Sequence, residues 1–146
     1  MSDEKYEIRE LDTSDGDIAI AYDVINDLRT HLSPEEFASR YREMYAEVSY
    51  RIVALFADGE CRAVAGFRWI LNLAYGDSLY VDDLVTRGEW RSKGYGATLI
   101  EHLTDLARAA GAASIRLDSA THRADAHRFY EREGFVFTSK HFVREL

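Results

Sequence analysis

Several features that mark other protein classes are missing from this 146-residue chain. It has one cysteine, Cys61, so no internal disulfide can form, which fits a reducing compartment. Cys61 lies in a strand-like run and reads as a small, half-buried side chain. No stretch approaches the roughly 20 uninterrupted apolar residues of a membrane span, and Met1 to Glu10 is too charged for a secretory signal, so the expected location is cytoplasmic. Basic charge is in deficit: 18 Lys and Arg stand against 26 Asp and Glu, for a net charge of −8. That balance excludes a general nucleic-acid binder, whose phosphate contacts demand a basic surface, and suits cationic small molecules better. There is no internal repeat, low-complexity tract or Pro/Gly/Ser linker, so residues 1–146 read as a single domain. What is present, 47% hydrophobic and 12% aromatic residues, suffices for one continuous core.

Tyr6 to Leu11 alternates like a first strand, and turn formers fill Asp12 to Asp17. Ile18, Ala21, Tyr22, Ile25 and Leu28 then recur at helical spacing. Ser33-Pro34-Glu35-Glu36 starts a second helix, with serine as cap, proline in the first turn and glutamate reaching back to the cap amide. Phe37, Tyr41, Met44, Tyr45 and Val48 continue its apolar stripe. Tyr50 to Ala57 and Arg62 to Asn72 are strand-like and joined by Asp58-Gly59, a hairpin signal because both positions tolerate positive φ. Ser78 to Thr86 is a further strand. Leu99, Leu103, Leu106 and Ala110 mark a helix ending near Gly111, Ser114 to Asp118 a short strand, and Ala124 to Glu133 a helix stopped by Gly134. The remaining residues alternate enough for two final strands. The expected class is mixed α/β (α+β), in the order β-α-α-β-β-β-α-β-α-β-β.

Between Thr86 and the third helix lies Arg91-Ser92-Lys93-Gly94-Tyr95-Gly96. The first turn of a helix has amides without intrahelical partners and carries the positive end of the helix dipole, so this junction is built for an anion. Gly94 and Gly96 let the backbone take left-handed angles and approach a bulky anion such as a pyrophosphate, while Arg91, Ser92 and Lys93 add donors and positive charge. There is no G-x-x-x-x-G-K-[ST], and the third glycine of a dinucleotide fingerprint is absent. R-x-x-G-x-G remains, a pattern that a purely structural loop with turn glycines would share.

Its context narrows the reading. The strand Leu79 to Thr86, then Arg91-x-x-Gly94-x-Gly96-Ala97, an amphipathic helix, and Ala126-x-x-Phe129-Tyr130-Glu131-x-x-Gly134-Phe135 together resemble the GCN5-related N-acetyltransferase (GNAT) family. The resemblance follows element order over nearly the whole chain. Asp125 to Gly134 is similar, over a short stretch, to the aminoalkylphosphonate N-acetyltransferase branch. The family implies a mixed, mostly antiparallel central sheet of 6–7 strands flanked by about four helices. It also implies an acetyl-CoA-dependent transferase that acetylates a primary amine of a small molecule by direct attack in a ternary complex. By the same resemblance, Arg91, Ser92, Lys93, Gly94, Tyr95, Gly96 and Ala97 match the pyrophosphate loop. Leu84, Val85 and Thr86 match the strand end that pairs with the pantetheine arm, and Tyr130 matches the tyrosine that protonates the departing thiolate. Where many members carry an asparagine, three residues before the alanine of A-x-x-F/L-Y, this chain has Arg123, a cation for a CoA phosphate in place of that side-chain contact. The last strand often contributes to dimers in this family, which makes a homodimer the expected assembly.

Acetyl transfer needs a neutral amine, donors for the charge developing on the carbonyl oxygen, and a proton for the leaving sulfur. The Val85 N–H is the candidate donor and Tyr130 the candidate acid. Asp82 and Asp83 are candidate bases; in a regular strand neighbours point to opposite faces, so only one would face the acceptor. Asp83 is favoured slightly because the resembling branch has an acid there; a buried ion pair holding the sheet is the other reading of each, and a water relay stays open. His31, between the first two helices, and Tyr41, on the second, are candidate acceptor-binding residues together with Asp83. At helical spacing Tyr41 reads more readily as core. His127 and Glu131 share a helix face at a metal-compatible spacing, but no third ligand is suggested, so no metal is expected. Other activities left open are acetylation of a protein lysine or N-terminus, and a non-catalytic acyl-CoA-binding regulatory domain.

Overall fold

The computed structural model describes residues 5–120 and 122–146. The elements, in chain order, are β1 (Tyr6–Glu10), α1 (Asp15–Ile25), α2 (Pro34–Glu47), β2 (Arg51–Ala57), β3 (Glu60–Asn72), β4 (Gly76–Thr86), a 3-10 turn (Gly88–Trp90), α3 (Tyr95–Ala109), β5 (Ser114–Leu117) and α4 (Ala124–Arg132). They fall into two compact units, Met1–Arg116 and Leu117–Leu146. Among the described residues no helix is long and apolar enough to cross a membrane.

Local chemistry explains the helix starts in the first unit. Ser14 caps α1 by accepting from the Asp17 N–H at 3.2 Å. Asp17 then takes both terminal nitrogens of Arg9, at 3.0 and 3.1 Å, and the Asp12 N–H at 2.8 Å, so this buried carboxylate clamps β1 to α1. The Arg9 hydrogen bonds hold the Asp17 carboxyl below its ordinary range. At α2 the capping box forms as its sequence signature predicts: Glu36 N–H donates to Ser33 Oγ at 3.1 Å and Ser33 N–H to Glu36 Oε1 at 3.2 Å. Removing such a cap costs about 1 kcal/mol.

The sheet has the strand order β1-β2-β3-β4-β5, and the β1–β2, β2–β3 and β3–β4 ladders are antiparallel. Asp58 and Gly59 both take positive φ, 52° and 73°, in the tight turn between β2 and β3. Helices α1 and α2 cover one face, where Ile18, Ala21, Val24, Ile25, Phe37 and Tyr41 pack with Ile52, Ala54, Val64 and Val85. Helix α3 packs on β2, β3 and β4 and buries Leu99 and Leu103 completely.

Two irregularities interrupt the ladders. Leu55 pairs with Ala63 and Phe56 with Cys61, so Arg62 is an extra residue in β3. Gly66 pairs with Asp83 and Phe67 with Val81, so Asp82 is an extra residue in β4. Such β-bulges re-aim the side chains at and beside them.

In the second unit, α4 carries the Phe129 and Tyr130 rings, 5.3 Å apart, and Phe135 lies 5.8 Å from Tyr130. His127 Nε2 meets the Ala120 carbonyl at 2.8 Å. The two strands expected after Gly134 do not form: the described residues contain five strands, not 6–7, and Phe135 to Leu146 has no assigned element. Val136, Phe137, Phe142 and Val143 are apolar, yet all four are exposed. Apolar side chains report only a preference for burial. A strand also needs a neighbouring edge to bond, which this unit does not itself supply.

Candidate functional site

The C-terminal half of β4 carries the acidic pair. Asp83 Oδ2 accepts from the Tyr50 hydroxyl at 2.6 Å, and Oδ1 from Arg29 Nε at 3.0 Å. The same guanidinium donates to the Asp82 carbonyl at 3.1 Å. Asp82 is held by Arg68 in a two-point grip, Nε to Oδ2 at 2.7 Å and Nη2 to Oδ1 at 2.9 Å. Gly66, opposite Asp83, and Arg68, the partner of Asp82, are two residues apart on β3 and so share a face. The bulge therefore brings both carboxylates to one face. The expectation that only one could point there is corrected, because strict alternation fails where one strand has a residue more than its partner.

Tyr50 reaches Asp83 through space that Gly66 leaves open. A Cβ on Gly66 would lie 1.9 Å from the Tyr50 hydroxyl and 2.6 Å from its ring carbon Cζ, both inside contact distance. Burial, and then the Asp83 charge, push the Tyr50 phenol well above its usual range, so it stays a donor. The Asp82 carboxyl is raised by burial, against the pull of Arg68. Tyr50, Arg29 and Arg68 were not among the residues anticipated from sequence. A glycine inside a strand, Gly66, was the available signal, since it marks close approach of another group.

Of the anticipated acceptor residues, Tyr41 is withdrawn into the core at 1% exposure. Its hydroxyl donates toward the Asp12 carbonyl at 3.2 Å, and its ring stands edge-on to Tyr50 at 5.9 Å. It backs Tyr50 and does not face solvent. His31 is exposed, six residues after the end of α1.

At the far end of β4, Leu84, Val85 and Thr86 pair with Ala65, Val64 and Ala63 on one edge. On the other edge, β5 starts beside Asp77, whose carbonyl accepts from the Ala113 N–H at 2.9 Å. With four residues, β5 spans about 13 Å and cannot reach Leu84 in either direction. That edge of Leu84–Thr86 is therefore clear of β5.

The polypeptide then passes through the 3-10 turn to Arg91, Ser92, Lys93 and Gly94, all exposed. Ser92 and Gly94 take positive φ, 64° and 85°, and Gly94 is the N-cap of α3 without any side-chain cap. A Cβ on Gly94 would meet nothing within 4 Å, so the concave side of the turn is open. Tyr95, Gly96 and Ala97 form the first turn of α3, whose amides have no intrahelical acceptor. Gly96 is helical rather than left-handed; Ser92 takes the second left-handed position instead. An uncapped helix start with open amides beside a lysine and an arginine fits a pyrophosphate.

Within the second unit, Tyr130 is mostly buried. That burial raises its phenol above the ordinary value, with Arg123 acting in the opposite sense. Arg123 is the exposed N-cap of α4.

The profile of the Acetyltransferase (GNAT) family matches residues 19–135. The chain is 37% identical over 135 residues to the uncharacterised N-acetyltransferase YhdJ of Bacillus subtilis (strain 168), covering 92% of this chain and 95% of that one. It is 35% identical over 89 residues to the streptothricin acetyltransferase of Streptomyces lavendulae, 61% of this chain and 46% of that one. The solved structure of aminoglycoside N-acetyltransferase AAC(6')-Iy in complex with CoA superposes with a TM-score of 0.85 at 12% identity, over 99% of this chain and 97% of that one. The uncapped loop before α3 and the acidic strand β4 thus sit in a chain that belongs to the acetyltransferase (GNAT) family and is an acetyl-CoA-dependent N-acetyltransferase.

Proposed function

We propose that this enzyme transfers the acetyl group to a primary amine of a small molecule by direct attack in a ternary complex, with residues 1–146 acting as one acetyltransferase domain. The observation that carries the reading is the convergence of two partly buried carboxylates, Asp82 and Asp83, on one face of β4, on the strand whose far end lies beyond the reach of β5. Acetyl-CoA, when bound, supplies an activated thioester. In this reading the loop Arg91 to Ala97 holds its pyrophosphate, Leu84 to Thr86 bond the pantetheine arm, Arg123 meets a phosphate, and the Val85 N–H donates to the acetyl carbonyl oxygen. Asp82 or Asp83 takes a proton from the attacking amine, and Tyr130 gives one to the sulfur as the carbon–sulfur bond breaks. Tyr130 carries a proton at neutral pH as any tyrosine does, and its partial burial keeps the phenol in that form. Support for Asp82 comes from its raised carboxyl, which makes it a better base than an ordinary aspartate.

The acceptor is the finer part of the proposal. A net charge of −8 favours a cationic amine over nucleic acid. Aminoglycoside and streptothricin acetyltransferases are among the similar proteins, and aminophosphonates follow from the likeness of Asp125 to Gly134. A cytoplasmic homodimer completes the reading. Thiol release from acetyl-CoA, measured against a panel of aminoglycosides, polyamines, aminophosphonates and peptides, tests it. Turnover with a small amine is expected. Turnover with peptides alone would make it a protein acetyltransferase, and none with any arm would make it a binding domain.

A further inference from the structure

The extra residue of the β3 bulge, Arg62, is 4% exposed, an unusual place for a cation. Its guanidinium stacks on Trp90, 3.6 Å from the ring centroid. It donates to the Tyr95 hydroxyl at 2.7 Å and to Asp58 Oδ2 at 3.2 Å. Its own backbone carbonyl accepts the Arg87 N–H at 2.9 Å. Trp90 is the residue immediately before the loop Arg91–Gly94, and Tyr95 the residue immediately after it. One buried side chain therefore holds both ends of the loop.

Packing alone does not account for a cation here. Burying a guanidinium costs several kcal/mol, and an apolar side chain of the same length would fill the space at less cost. Its planar guanidinium can stack on the Trp90 ring and donate to the Tyr95 hydroxyl at the same time, which an apolar side chain cannot do. The open amides of α3 follow directly on the stretch held in this way.

Building on acetyl-CoA as donor, we propose that Arg62 is a positioning residue for the donor's pyrophosphate. It fixes Trp90 and Tyr95 so that the intervening turn stays open. Gly94 and the exposed cations Arg91 and Lys93 form the upper surface of the same site.

The test compares two ligands by calorimetry and competition: acetyl-CoA, and S-acetylpantetheine, which lacks the pyrophosphate. In Arg62→Met the preference for acetyl-CoA over S-acetylpantetheine is expected to fall about tenfold or more. Arg62→Lys keeps the charge without the planar stack and is expected to recover part of it. Tyr95→Phe keeps the fold and loses one hydrogen bond, and is expected to give a smaller fall in the same direction, which covers the case in which Arg62→Met does not fold. An unchanged preference in Arg62→Lys and Tyr95→Phe, or equal weakening of both ligands, would overturn the assignment. Wild-type protein that binds neither ligand would overturn the donor reading and this assignment together.

Discussion

The Tyr50 hydroxyl donates to Asp83 at 2.6 Å, across the one position of β3 that has no Cβ to block it. The pair joins the residue just before β2 to the acidic centre of β4, 33 residues apart. It is buried on the tyrosine side and anchored by Arg29 on the other.

Tyr50→Phe keeps the ring packed against Tyr41 but leaves Asp83 Oδ2 without its donor. The expected loss is about 1–3 kcal/mol of stability in urea titrations. Acceptor kcat/KM is expected to fall about tenfold with little change in acetyl-CoA affinity. A variant with wild-type kinetics would remove Tyr50 from the site.

Gly66→Ala places a methyl group against the Tyr50 hydroxyl and ring. We expect a cost of about 1–3 kcal/mol from overpacking. In a Tyr50→Ala background the same substitution should cost far less, since the obstructing ring is gone. A double-mutant cycle that came out additive would mean Gly66 does not serve Tyr50.

Arg68 grips the Asp82 carboxylate at two points, while Arg29 and Tyr50 hold Asp83. Because Arg68 lowers the carboxyl of Asp82, Arg68→Gln removes that pull and raises it further. If Asp82 is the base, the acid limb of the kcat/KM profile moves to higher pH in this variant. A limb that stays put would shift the base role to Asp83 or a water relay.

Tyr130→Phe is expected to lower kcat by about a hundredfold or more, the range for loss of a general acid, while acetyl-CoA affinity measured by calorimetry changes little. Turnover equal to wild type would exclude Tyr130 as the acid.

The Arg9–Asp17 clamp gives a stability test with a defined sign. The folded carboxyl is held below its unfolded value of about 3.9, so its contribution is fully present above that pH and is lost as pH falls through the lower folded value. Asp17→Asn is expected to cost about 1.5–2 kcal/mol at pH 7, toward the lower end for a charged hydrogen bond because Arg9 is 45% exposed. The gap between the wild-type and variant curves should narrow as pH falls below the unfolded carboxyl value and through the lower folded one.

Much of the architecture could be read locally. Ser33-Pro34-Glu35-Glu36 starts α2 because its own side chains satisfy its own amides, and Asp58-Gly59 turns the hairpin because both residues accept positive φ. Tyr95 to Ala109 follows an uncapped glycine, and that helix start, taken with the strand before it and α4 after it, is what points to the loop as a candidate anion site. These features depend on neighbours in sequence, and periodicity and turn chemistry report them. Helix α1 begins at Asp15, ahead of the first apolar repeat at Ile18, because its Ser14 cap lies among turn formers that mask the boundary. The last residues show the reverse error: Val136, Phe137, Phe142 and Val143 are apolar enough for strands, but local composition carries no information about whether an edge is on hand to bond.

Sequence alone determined the order of helices and strands as far as α4, the glycine-containing loop, the acidic pair in β4 and the tyrosine in α4, because each is written in short-range pattern. Only the tertiary structure decided what those groups touch. Bulges at Arg62 and Asp82 exist only where two strands of unequal count are paired, and they put a cation against Trp90 and Tyr95 and both carboxylates on one face. Tyr50 reaches Asp83 only because Gly66 is folded between them, a relation among three residues far apart in sequence that no local pattern contains.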